Sequence, residues 1–155
     1  LKPKLLIADE PTTALDVIVQ AQILNLLKQL QAKYGTSMIL ISHDLSIIAE
    51  LSDKVAIMYA GKIVELAPSL DLYKDPLHPY TQKLLRSIPR LKVKVEKLEF
   101  IPGVPPDLRN PPSGCRFHPR CPYVMEICKK VEPKLVEIKP NHYVACHLYT
   151  EDMKK

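Results

Sequence analysis

Leu5-Leu6-Ile7-Ala8-Asp9-Glu10-Pro11-Thr12-Thr13-Ala14-Leu15-Asp16 decides how this chain is read: four apolar residues run straight into two adjacent carboxylates, and a proline stops the run. A short continuous apolar run of this kind predicts a strand of a parallel sheet, covered on both faces, that Pro11 ends. Asp9 then stands at the carboxyl end of the strand, where open α/β sheets bind ligands. A short ionised carboxylate there can hold a magnesium ion directly or through water. Glu10, one peptide bond on, points differently and suits the orientation or deprotonation of an attacking water. No phosphate loop of the form G-x-x-x-x-G-K-S/T occurs in the 155 residues. The expectation is a fragment that carries the metal and water side of a phosphohydrolase site and neither binds nor hydrolyses nucleotide by itself.

Outward from this stretch the pattern alternates. Ile23, Leu24, Leu26, Leu27 and Leu30 recur at helical spacing between Val17 and Tyr34, with Asp16 as N-cap and Gly35 as the stop. Ser37 to Ile41 predicts a second buried parallel strand, and His43 follows it at the same sheet edge. An imidazole there can donate a hydrogen bond to a terminal phosphate. Asp44 to Leu51 reads as a short helix with Leu45, Ile48 and Ala49 inward. Lys54 to Tyr59 and Lys62 to Leu66 flank Ala60-Gly61, a two-residue hairpin signal. Ser69 to Tyr73 and Pro79 to Ser87 read as short helices, the second with a stripe of Thr81, Leu84, Leu85 and Ile88. Leu91, Val93 and Val95 alternate with charged residues as in a half-exposed strand.

Composition narrows the classes. An apolar content of 46% supports a core. The net charge of +5 is spread among 17 acidic residues, and Lys129-Lys130 and Lys154-Lys155 are the only adjacent basic pairs. A solvated surface explains that distribution, and nucleic acid is not expected as a partner. No apolar run approaches the roughly 20 residues needed to span a bilayer, so membrane contact is expected through protein partners.

Ten of the fifteen prolines fall from Pro89 onward, as do all four cysteines, Cys115, Cys121, Cys128 and Cys146. A small irregular unit from Pro111 to Tyr149 has too poor a core to stand without staples. Four thiolates could bind one zinc ion or an iron-sulfur cluster, and the spacing of five, six and seventeen intervening residues decides between neither. Free thiols and disulfides remain open as well. His118, His142 and His147 could each replace one thiol, although histidines beside such clusters are more often packing residues.

Leu5 to Glu10 resembles the Walker B strand of ABC transporter ATPases, Thr13-Ala14-Leu15-Asp16 resembles their D-loop with threonine in place of the usual serine, and His43 matches their switch histidine. His78-Pro79-Tyr80-Thr81, Ile101 to Pro106 and Gly114 to Pro122 resemble the carboxyl-terminal extension of the oligopeptide/dipeptide importer ATPases. The resemblance implies an α/β fold: a partial P-loop NTPase core with parallel strands and a terminal hairpin over residues 1–67, a helical link over 68–90, and a small irregular cysteine-containing extension over 91–155. It also implies ATP and magnesium in the full-length parent, with Asp9 near the metal, Glu10 and His43 catalytic, and Asp16 at the interface with a second ATPase subunit. A 4Fe-4S cluster on the four cysteines is implied, zinc or no metal being the alternatives. The parent is expected on the cytoplasmic face of the membrane, bound to transmembrane permease subunits and powering peptide import. Related members handle nickel or sugar oligomers. The Walker A loop, Q-loop and signature sequence are absent. A sheet cut in this way exposes an edge and an apolar face, so self-association is expected. A stand-alone metal-binding or protein-interaction module is the alternative from a different class.

Overall fold

A computed structural model describes residues 3–87 and 101–150; Ile88 and the alternating segment 91–95 lie outside these residues. The described residues form a mixed α/β structure with one parallel and one antiparallel sheet. The chain divides into two compact units, Leu1–Asp53 and Lys54–Lys155.

In the first unit, β1 (Leu5–Asp9) pairs in parallel with β2 (Ser37–Ile41), in a register that sets Asp9 opposite Ile41. The crossover is α1 (Val17–Tyr34), as parallel neighbours require. The Asp16 carboxylate caps it by accepting from the Ile18 and Val19 amides, each at 2.9 Å. Gly35 ends it in the left-handed region at φ 62°, its amide bonded to Gln31 O. Leu6 and Met38 share a cavity of about 180 Å³ with Leu27 and Leu30 of α1. The other face does not follow the expectation of cover on both sides: Leu5, Ile7, Ile39 and Ile41 are 49%, 61%, 48% and 46% exposed. A parallel pair needs a layer on each face, and the described residues of this unit leave these four side chains open on this one. After β2, Asp44 caps α2 (Leu45–Leu51). The cap sets the helical phase so that Ile47 and Ile48 are buried and Ala49 is exposed, which corrects the expected inward face.

The second unit is built on a four-stranded antiparallel sheet ordered β3-β4-β6-β5. Strands β3 (Lys54–Tyr59) and β4 (Lys62–Pro68) are joined through Ala60 and Gly61 at φ 48° and 78°, the positive pair that a type I′ turn demands. Strands β5 (Val136–Lys139) and β6 (His142–Val144) extend the sheet, with Glu65 opposite Val144. The cysteine-bearing segment therefore shares a sheet with the hairpin, a pairing that its proline-rich sequence does not announce. Helices α3 (Ser69–Lys74), α4 (Pro79–Arg86) and α5 (Glu126–Lys130) complete the regular structure. Alternation along β3 buries Val55, Ile57 and Tyr59. Tyr59 meets Phe117 edge-on at 5.1 Å between centroids, and Tyr80 and His78 surround the same ring. Fully buried Glu65 accepts from the Leu77 and His78 amides at 2.7 and 2.9 Å and pairs with buried His142 at 2.7 Å. One carboxylate thus ties β4, the turn before α4, and β6. No described helix is long and apolar enough to cross a membrane.

Candidate functional site

The end of β1 turns sharply because Glu10 takes the left-handed region, at φ 47°, and Ala14 does so four residues later, at 63°. A non-glycine residue in that region is uncommon, and such strain gathers at functional sites. Here it is held in place: the Glu10 amide donates to Ile41 O at 2.9 Å, and the Thr13 hydroxyl donates to Glu10 Oε2 at 3.0 Å. The turn aims the Glu10 carboxylate across the strand ends at His43. The His43 amide donates to Oε1 at 3.0 Å, and its Nδ1 lies 2.9 and 3.0 Å from the two carboxylate oxygens.

An ionised carboxylate only accepts, so Nδ1 is the donor and Nε2 is left for another partner. The His43 side chain is 81% exposed, so Nε2 can meet a ligand from solvent. The hydrogen bond from His43 holds the Glu10 carboxyl below its ordinary range, while the same bond and the charge of Glu10 raise the His43 imidazole. Favouring the doubly protonated ring matters chemically. With Nδ1 committed to Glu10, Nε2 donates to a phosphate oxygen only when it also carries a proton. Asp9 ends β1 with its side chain exposed, beside this pair and on the opposite pleat from Ala8. The structure therefore brings Asp9, Glu10 and His43 to one edge, and places Asp16 at the head of α1 with its carboxylate engaged in capping.

Thr13 as a hydrogen-bond partner of Glu10 was not read from the sequence. Its spacing of three residues across a turn containing Pro11 is the signal that could have found it.

The cysteines lie in the other unit. Gly114, at φ 65°, allows Cys115 to approach Cys128: a Cβ at Gly114 would collide with the Cys128 carbonyl. The Cys115 amide donates to Cys128 O at 2.8 Å, and Ser113 Oγ donates to Lys129 O at 2.7 Å. Cys146 sits just past β6, where it precedes a 3-10 turn over His147–Tyr149. The strand ends there because the chain leaves the ladder once Ala145 has bonded to Val64 O.

All four thiols are free, and each lies within electrostatic reach of the other three. Burial raises Cys115 and Cys121, and pushes Cys146 up to about 12, with the neighbouring thiols adding to the effect. Among the described residues, no group of three or more His, Cys, Asp or Glu side chains is arranged to hold a metal ion. The donor chemistry fits a thiolate-ligated group, and the closed geometry is not present. Of the nearby histidines, His118 Nδ1 engages Cys115 O and His142 engages Glu65. His147 donates through Nε2 to Val131 O, leaving a buried Nδ1 without a hydrogen-bond partner.

Residues 64–128 match the family described as "Oligopeptide/dipeptide transporter, C-terminal region". The chain is 52% identical over 151 residues to the dipeptide transport ATP-binding protein DppD of Caldanaerobacter subterraneus subsp. tengcongensis, covering 97% of this chain and 46% of that protein. It is 49% identical over 154 residues to the oligopeptide transport ATP-binding protein AppF of Bacillus subtilis, covering 97% of this chain and 46% of the relative. The oligopeptide transport ATP-binding protein OppD of Escherichia coli is 49% identical over 152 residues, covering 98% and 45%. Among solved structures, cbiO1 from Clostridium perfringens, part of the ABC transporter complex cbiONQ, is 31% identical with a TM-score of 0.44, over 48% of this chain and 30% of that one. The chain spans a little under half the length of the curated relatives it matches. Along nearly its whole length it is similar to ATP-binding subunits of oligopeptide and dipeptide ABC transporters.

Proposed function

We propose that this chain is part of the ATP-hydrolysing subunit that powers peptide import: 1–67 the closing part of the ATPase domain, 68–90 a link, and 91–155 the transporter extension. The observation that carries the reading is the Glu10–His43 pair, held at the ends of two parallel strands with Asp9 beside it. When bound, ATP with magnesium supplies the phosphoanhydride and the charge that neutralises its oxygens. Asp9 is the magnesium-side carboxylate, Glu10 orients water and accepts its proton, and His43 Nε2 donates to a phosphate oxygen. Asp16, at the head of α1, faces a second ATPase subunit. Permease subunits anchor the assembly at the cytoplasmic face of the membrane, and nucleic acid has no place in this reading.

The chain without its phosphate loop does not turn over ATP, because carboxylates cannot replace the amide cradle and lysine that hold the phosphates. In the full-length subunit, Glu10→Gln should abolish hydrolysis while ATP binding persists, and the purified 155-residue chain should bind no ATP by calorimetry. Hydrolysis surviving Glu10→Gln, or tight ATP binding by the short chain, would overturn the reading.

The four cysteines are the place for a 4Fe-4S group, supported by four unpaired thiols in mutual electrostatic range. Its role there is a staple for a segment short of regular structure. Anaerobic reconstitution with iron and sulfide should give a brown protein, and Cys146→Ser should not. A colourless protein that retains one equivalent of zinc would reject it.

A further inference from the structure

The second unit carries a cleft of about 670 Å³, and Cys115 is its one lining residue with a role proposed above. It lies on the open side of the β3–β4 hairpin, and its size falls within the roughly 300–1,000 Å³ of small-molecule sites. Met58, Ile63 and Leu135 present apolar surface into it and are 58%, 41% and 41% exposed, while Phe117 and Ala145 close its inner wall. Three exposed apolar side chains on one concave wall are a surface that water solvates poorly.

The rim is charged, and in two signs. Lys62 Nζ and Glu132 Oε1 pair at 2.7 Å, with side chains 44% and 55% exposed. Arg116 donates to Ala60 O at the hairpin turn, where a Cβ on Gly61 would lie 3.3 Å from Arg116 Nη1. Its guanidinium also acts on Glu132, since Lys62 and then Arg116 hold that carboxyl below its ordinary range. Lys134 completes the lining. Three cations and one carboxylate thus surround an apolar wall. A solvent-exposed ion pair contributes little stability, so Lys62 and Glu132 can exchange each other for a ligand's ends at small cost.

We propose that this cleft binds a short zwitterionic peptide with an apolar side chain: the side chain against Met58, Ile63 and Leu135, the carboxylate at Lys62, Arg116 and Lys134, and the ammonium at Glu132. Complementarity of charge selects the occupant. An acyl carboxylate matches the cations and the apolar wall but leaves Glu132 facing a second anion, whereas a zwitterion satisfies both signs. The site is built from residues 58–145 and does not depend on the ATPase reading.

Calorimetric titration of the purified 155-residue chain with the dipeptide Leu-Leu tests it, with Leu-Leu amide, Gly-Gly and octanoate as comparison ligands. Leu-Leu should bind saturably and perturb the Ile63 and Leu135 amides in a nitrogen-15 correlation spectrum. The amide, or the surface substitution Lys134→Glu, should weaken binding by about tenfold, the size of one lost charge contact. Glu132→Gln should weaken Leu-Leu but not octanoate. Absence of saturable Leu-Leu binding, octanoate binding as tightly as Leu-Leu, or perturbations confined to other residues would each overturn the proposal. None of these outcomes bears on ATP hydrolysis by the parent, so failure here and failure of the ATPase reading are separable.

Discussion

At the residue scale, the Glu10–His43 pair has a definite pH window. The Glu10 carboxyl is lowered from 4.5, so its contribution is present above that value and is lost as pH falls through the lower folded one. The His43 imidazole is raised from 6.5, so its contribution is present below that value and is lost as pH rises through the higher folded one. The pair is therefore intact between mildly acidic and near-neutral pH. NMR titration of the His43 ring should show a midpoint above 6.5 that falls toward the ordinary value in Glu10→Gln; an unchanged midpoint would remove Glu10 as the cause. Gly114 sets a second residue-level constraint. Alanine there must adopt a left-handed backbone, costing about 1–2 kcal/mol, and its Cβ must also displace the Cys128 carbonyl. Urea unfolding of Gly114→Ala should show at least that loss.

At the element scale, helix α4 depends on a buried histidine. His78 caps it, Nδ1 accepting from the Tyr80 amide at 3.1 Å, and Pro79 occupies the first helical position, where its missing N–H costs nothing. Burial lowers the His78 imidazole to about 4 from 6.5. Between those values the unfolded chain binds more protons than the folded one, so stability rises with pH and falls on acidification. The full loss is on the order of 3 kcal/mol below pH 4. His78→Asn, which keeps an acceptor for the Tyr80 amide and has no titration there, should flatten the stability profile between pH 4 and 6.5. An unchanged slope would show that other groups set it. The hairpin is equally local in origin, since Ala60-Gly61 supplies both positive φ angles.

For the molecule as a whole, each unit exposes its own dependence. The second is knit by Glu65, which is fully buried and bonds to three partners on two other segments. Removing one partner of a buried hydrogen bond leaves the other group unsatisfied, at about 1–3 kcal/mol. His142→Leu should therefore destabilise the hairpin and the cysteine segment together, seen as joint loss of amide protection in β4 and β6; selective loss in β6 would mean that the two are independent. The first unit shows four apolar side chains on the open face of its parallel pair. Surface of that kind favours association. Sedimentation of the 155-residue chain should show mass increasing with concentration, reduced by Ile7→Lys, and a monomer at all concentrations would contradict this.

Strands β1 to β4, the long helix, the hairpin and the placement of the carboxylates and imidazole were legible because each rests on local chemistry: an apolar run, a 3.6-residue period, Asp16 and Gly35 at the helix ends, and Asp9, Glu10 and His43 directly after strand residues; β5 and β6 were not, in a segment whose prolines read as irregular. What local pattern cannot carry is a meeting of residues distant in sequence. The left-handed Glu10 that aims its carboxylate at His43 and the Thr13 hydroxyl that holds it became visible only once the strands were paired. Pairing of β4 with β6 likewise could not be read, because it is set by Glu65 and His142, 77 positions apart. Local pattern along the chain is enough for the elements of the first half and for the chemical groups of the site. Tertiary structure alone decided which groups touch, because hydrogen bonds and burial across long separations depend on packing that no local propensity encodes.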